Sequence, residues 1–211
     1  MNLIEMRAIV RRDLHDEDAT NYRWTNDEID RHILHAVKDY SEAVPLEQKA
    51  SITTVESSRE IDISVLTGRI TVEAVEYPVD KFPKRYQRFS IWADTLTLLG
   101  NEIPDGLNAY IYYGKLHSLD VSGSTILAWH EDLVAGGACA YAALEQAMYV
   151  INKVNSGGVQ TQNNFLAWGK EKFDLFKQEL TRLSRKNRIR VRSLYQPDMD
   201  IVNQSTDFGP R

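Results

Sequence analysis

Four groups of residues carry side chains whose type and spacing can do chemistry. His32 and His35 stand three residues apart, with Glu28 and Asp39 on the same helical stretch. Two histidines at that spacing plus a carboxylate can hold a metal ion; they equally make an ordinary polar helix face. His130 and Glu131 are adjacent and can act as an acid–base pair, although Glu131 also suits the positive start of a helix. Between Asp80 and Arg88, Lys81, Lys84, Arg85 and Arg88 interleave with Phe82, Tyr86 and Phe89. That mixture binds single-stranded nucleic acid, or guards a strand edge with charge. The last group is basic: Arg182, Arg185, Lys186, Arg188, Arg190 and Arg192.

None of these extends into a catalytic signature. The chain holds no G-x-S-x-G, no phosphate loop, no H-E-x-x-H and no C-x-x-C, the strings that would carry nucleophilic, nucleotide or zinc chemistry. The reading is therefore of a protein without enzymatic activity, metal or cofactor.

Charge is distributed unevenly. Lys170 to Arg192 holds nine basic residues against three acids, a net of +6 on a chain whose total is −5, so the remainder carries −11. A basic end on an acidic body calls for an acidic partner, protein or phosphate. With 211 residues, 43% of them hydrophobic and 26% charged, the chain can bury a core as one domain or two small ones. No apolar run is long enough to span a bilayer. The first residues, MNLIEMRAIVRRDL, mix charge into the apolar pattern and are no signal peptide. The single cysteine, Cys139, implies a reducing compartment and a packing role.

The elements that must position these groups alternate in period. Leu3, Met6, Ile9, Val10 and Leu14 predict a first helix over residues 2–14. Thr25 is an N-cap and Glu28 completes a capping box, with Trp24 placed to staple onto Ile29; that helix runs through Ile33, Val37 and Tyr40 to Pro45. From Ser51 to Leu119 the period becomes two, with turns at Thr67-Gly68, Gly100-Asn101 and Pro104-Asp105-Gly106. Ile70, Val72 and Ala74 share one face, Tyr86 to Trp92 forms one strand, and Ala109, Ile111 and Tyr113 oppose Tyr110 and Tyr112. Ala128 to Val154 is a central helix, with apolar residues recurring at Trp129, Leu133, Ala140, Leu144, Met148 and Ile151 on one side and Gly136, Ala138, Ala142 and Ala143 on another. Gly136-Gly137 in mid-helix requires a neighbour that comes close, or a ligand. Asn155-Ser156-Gly157-Gly158 stops this helix, residues 159–164 are polar, and a fourth helix spans about Asn164 to Lys186 on Leu166, Phe173, Phe176, Leu180 and Leu183.

Beyond Asn187 the periodicity fades, which predicts an extended tail. Ile189 and Val191 alternate with Arg188, Arg190 and Arg192 as in a strand, and Leu194, Tyr195, Ile201, Val202 and Phe208 add apolar anchors. Such a segment can add to the edge of a partner's sheet. The expected fold class is α+β: a bundle of about four helices with an inserted small antiparallel β-region. Its parts are residues 1–50, the insertion 51–119, residues 120–186 and the tail 187–211.

The string RWTNDEIDRHILHAVKDYS, starting at Arg23, resembles the W-[ST]-[DN]-x-E-[IL] helix of tailed-phage head–tail connector proteins, or adaptors. LNAYIYYGKLHSL, followed by an alanine-rich helix, is similar to a second feature of that family. The resemblance covers nearly all of residues 1–186. It implies a structural virion protein of the neck, assembled in the host cytoplasm. Its core would pack side by side in a ring, commonly of twelve, beneath the portal. The tail residues Arg188, Ile189, Arg190, Val191, Arg192, Leu194 and Tyr195 would reach the portal, the β-region would meet neighbours or the next tail or nozzle component, and DNA would pass through the lumen without sequence-specific contact. Two alternatives stay open. One is a small DNA-binding protein using the basic C-terminal segment. The other is a cell-wall hydrolase, an activity found in some relatives, for which no paired carboxylates stand out here.

Overall fold

A computed structural model describes residues 1–150 and 160–195, with side chains placed for 1–149 and 166–195. The expected helix stop at 155–158, and Ile151, Ile201, Val202 and Phe208, lie outside the described residues. The chain is mixed α+β and divides into two units. One comprises residues 1–46 and 116–187; the other comprises 47–115 and 188–211.

In the first unit, α1 (Leu3–Asp13) and α2 (Asn26–Ala43) each begin with a capping box. At α2, Glu28 N donates to Thr25 Oγ1 at 3.3 Å while Thr25 N donates to Glu28 Oε2 at 2.7 Å. At α1, Glu5 N donates to Asn2 Oδ1 at 3.0 Å and Asn2 N returns the bond to Glu5 Oε2 at 2.8 Å. Between the two helices, Arg11 and Asp16 form a buried ion pair at 2.6 Å. Arg11 also donates to Trp24 O, and Asp16 accepts from Arg23 N at 2.7 Å. This pair fixes the loop that delivers Trp24, which is 3% exposed, to the core.

The central helix is shorter at its start than its sequence suggests. Ala128–His130 forms a 3-10 turn, and α3 spans Glu131–Val150. The buried side of α3 is its small-residue side: Ala135, Ala138, Cys139, Ala142 and Ala143 are all at or below 1% exposed. The other stripe is divided: Leu133 packs against the core and Ala140 is buried, whereas Trp129 is 75% and Met148 72% exposed. α1 and α2 pack on α3. α4 (Gln160–Leu194) approaches it at Gly137, where an added Cβ would lie 2.7 Å from the Phe176 ring. Gly169 returns the close fit against Ala143 and Leu144. Gly136 faces no atom within 4 Å, so only one glycine of the pair is explained by close approach.

The second unit has a four-stranded sheet, order β1-β7-β3-β4, and a three-stranded one, order β2-β6-β5. These are β1 Leu46–Thr53, β2 Glu60–Asp62, β3 Arg69–Glu76, β4 Tyr86–Gln87, β5 Phe89–Trp92, β6 Thr95–Leu98 and β7 Asn108–Lys115. The pairs β3–β7, β3–β4, β2–β6 and β5–β6 are antiparallel. Ile61, Ile63, Val75, Leu96, Leu98, Ala109 and Ile111 form one core from both sheets. Two sequence expectations fail here. Tyr86 to Trp92 is two strands in different sheets rather than one. Ile70, Val72 and Ala74 do not share a face, because irregularities at Arg69/Thr71 and Val72/Ala74 shift the register, and each such slip reverses the side chains that follow.

Two substitutions test the packing. Gly137→Ala should destabilise by about 1–3 kcal/mol through overpacking against Phe176. Gly136→Ala should be neutral or stabilise by up to about 1 kcal/mol. Urea unfolding of both variants reads the contrast, and equal effects would refute the close-approach assignment.

Candidate interaction surface

α4 continues through the basic run, so the segment expected to be extended from Asn187 is helical as far as Leu194. Tyr195 N still donates to Val191 O at 3.0 Å. The strand-like alternation of Ile189 and Val191 with arginines misled because arginine is itself a good helix former. The overlooked signal is the i, i+4 progression Leu183, Asn187, Val191, Tyr195, which prolongs the apolar stripe of Phe176 and Leu180. The helix sorts the expected portal-binding residues by face. Val191 and Tyr195 are half-buried, while Arg188, Ile189, Arg190, Arg192 and Leu194 are exposed. Ile189 is 72% exposed and stands one turn from Arg185 and Arg192.

The basic groups divide in the same way. Arg190 pairs with Glu47, and Arg182 with Glu179 on its own helix at 2.9 Å. Arg185, Lys186, Arg188 and Arg192 are exposed and make no ion pair among the described residues. Tyr195 enters an aromatic group, its ring centroid 5.2 Å from those of Tyr86 and of Tyr112.

Tyr112 is the centre of a polar network on its sheet. Its hydroxyl donates to Oε2 of Glu76 at 2.6 Å and accepts from Lys84 Nζ at 3.1 Å. Glu76 is 1% exposed, and Lys84 also lies 3.4 Å from it. Asp80 N donates to Glu76 Oε1 at 3.3 Å, and Tyr110 OH donates to Asp80 at 3.2 Å. Burial and the Glu76 carboxylate push the Tyr112 phenol up to about 12; hydrogen bonding to Tyr112 raises Lys84. The basic–aromatic stretch Asp80–Arg88 thus serves partly as a clamp. Lys84 holds Glu76 and Tyr112, and Arg85 pairs with Glu102 at 2.8 Å. Phe82 at the loop tip is fully exposed. Next to Tyr112 is a cavity of about 200 Å³ lined by Glu47, Gln48, Lys49, Glu73, Tyr112, Tyr113 and Tyr195.

The remaining candidates are kept apart by the fold. His32 is buried and its Nε2 lies 2.6 Å from Glu145 Oε2, a distance suited to an ion pair only when the ring is protonated. His35 instead meets the Tyr141 ring edge-on at 5.6 Å. His130 Nδ1 is 2.8 Å from the Tyr40 hydroxyl, whereas Glu131 lies 2.9 Å from the Met1 amino group, so the two do not work as a pair. The described residues bring no three His, Cys, Asp or Glu side chains together as a metal site. Burial pushes the Cys139 thiol up to about 12. Among the described residues no helix is long and apolar enough to cross a membrane. No protein-family model matches the chain, and no curated protein matches it.

The histidines give a pH dependence. Burial lowers His32, His117 and His130 below their ordinary 6.5. A base with a depressed folded pKa takes up its proton more readily in the unfolded chain. Stability should therefore be full above pH 6.5 and fall as pH drops below it, towards the folded values. His117→Asn should flatten that fall. Urea midpoints at pH 7.5 and pH 5.5 measure it, and identical slopes in both proteins would show that His117 is uninvolved.

Proposed function

We propose that this chain is a head–tail adaptor of a tailed phage. Copies would close into a ring, commonly of twelve, between the portal and the tail of the virion, and pass DNA through the lumen. The observation that carries the reading is local. The string W-T-N-D-E-I forms the buried-tryptophan, capped start of α2, and LNAYIYYGKLHSL forms β7 and the path back towards the alanine-rich α3. A capped helix start behind a buried tryptophan, and a strand that precedes an alanine-rich helix, are the local features that support the reading.

Exposed apolar side chains support the reading. Ile4, Leu34, Trp129 and Met148 in the first unit, and Phe82 and Trp92 in the second, are at least half exposed to solvent against the described residues. Where such side chains lie next to one another they make a binding face. A heterologous contact whose rotation closes yields a ring. The portal contact would be a helix face rather than an added strand: exposed Ile189, with Arg185 and Arg192 one turn to either side, suits a helix laid in an acidic, apolar groove. Arg190 and Tyr195 hold the chain's own β-unit instead.

The second reading, a DNA-binding protein, is favoured by the same exposed Arg185, Lys186, Arg188 and Arg192. Mass photometry with purified, DNA-free portal separates the two. The adaptor should join the portal in one large, fixed-stoichiometry species. Replacing Arg188, Ile189 and Arg192 together by alanine should weaken that joining about tenfold or more. If the triple variant docks as the parent does but loses duplex DNA, with a salt slope near −0.9 per phosphate contacted, the helix end serves DNA.

A further inference from the structure

The cavity beside Tyr112 has features that the adaptor reading leaves unused. We propose that it is a binding site for one basic side chain, an arginine or lysine offered by a protein partner, with Glu73 as its counter-ion. This stands independently of what the protein assembles with.

Size sets the first limit. A volume of about 200 Å³ falls short of the roughly 300 Å³ at which pockets for whole small ligands begin. It suits the end of a single long side chain. Composition sets the second. Three phenol rings, of Tyr112, Tyr113 and Tyr195, line the space beside two carboxylates, Glu47 and Glu73, and one ammonium, Lys49. Aromatic faces and a carboxylate together attract a cation and repel phosphate. A guanidinium is planar and weakly hydrated, so arginine gains most from such walls.

The third argument is an imbalance. Glu73 is half-buried and has no hydrogen bond or ion pair among the described residues. Burial alone raises its carboxyl pKa. A carboxylate withdrawn from water without a partner is unfavourable, and an incoming cation removes the penalty. The cations already nearby are committed elsewhere. Lys49 Nζ stands 3.3 Å from the centroid of the Tyr110 ring. Arg190 holds Glu47, and Lys84 holds Glu76 and Tyr112. Glu73 is the acid they leave open.

The test uses the full chain with tyrosine rings labelled for NMR, and two probes. N-acetyl-arginine amide carries the guanidinium; N-acetyl-citrulline amide is its neutral isostere. The arginine probe should shift the Tyr112 and Tyr195 ring signals saturably, in the millimolar range expected of one side chain, on the order of 1 mM. The citrulline probe should bind at least about tenfold more weakly. Glu73→Gln should abolish the difference without lowering the melting temperature. Lowering the pH through the raised Glu73 pKa should release the arginine probe. Equal response to both probes in the parent protein overturns the proposal, as does no saturable response, or undiminished binding to Glu73→Gln. The two-probe comparison on the parent decides the matter even if the variant folds poorly.

Discussion

The close approach of Phe176 to Gly137 is the constraint on which the helical unit depends. A ring can lie 2.7 Å from where a Cβ would stand only because no Cβ is there. That contact sets the depth at which α4 meets α3. The alanines on the rest of α3 then admit α1 and α2 at short range, and Cys139 comes within 3.8 Å of the Val10 carbonyl. Small residues make a poor apolar stripe by area, since each methyl contributes little. They make a good core here because they let three helices share one axis, and dense packing recovers in contacts what is lost in side-chain size.

The β-unit is organised differently, around a buried charge. Glu76 is enclosed by a phenol, an ammonium and a backbone amide, so its lone pairs are answered although the residue is only 1% exposed. Removing one partner from such a site leaves the carboxylate exposed to a low dielectric, which costs more than the contact itself contributes. The loop from Tyr77 to Arg85 is therefore held at both ends while its tip, with Phe82, stays in solvent. Rigidity at the base and exposure at the tip follow from the same residues.

What the sequence disclosed was chiefly local. The Thr25–Glu28 box was legible because its chemistry lies within four residues, and Trp24 with it. The equivalent Asn2–Glu5 box is harder to read, because the apolar spacing that marks α1 does not separate its first turn from its cap. The β-region was readable as alternation, yet not its register, since irregularities in β3 are set by pairing with β7. The division of Tyr86–Trp92 between two sheets has no local sign at all. The helical end of α4 was misjudged because β-branched residues alternating with arginine satisfy two periods at once over so short a stretch. Glu73 was passed over altogether: nothing in a strand sequence tells which acid will lack a partner. Which stripe of α3 is buried is not legible either: Trp129 and Met148 are exposed although large, since the neighbours decide burial.

One imidazole has a consequence for how this chain tolerates change. His117 Nε2 lies 2.9 Å from Val44 O and Nδ1 3.0 Å from the Thr125 hydroxyl, while its backbone N–H donates to Ser41 Oγ at 3.0 Å. The chain departs for the β-unit just after Val44 and has returned by His117. The two crossing points are thus buckled together at the end of α2. The entropy of closing the excursion varies only slowly with its length. Turns inside it that lie away from Glu47, Tyr86 and Tyr112, the residues met by the end of α4, can lengthen or shorten so long as the buckle holds. The helical unit can stay fixed by its own close packing while the β-unit diversifies.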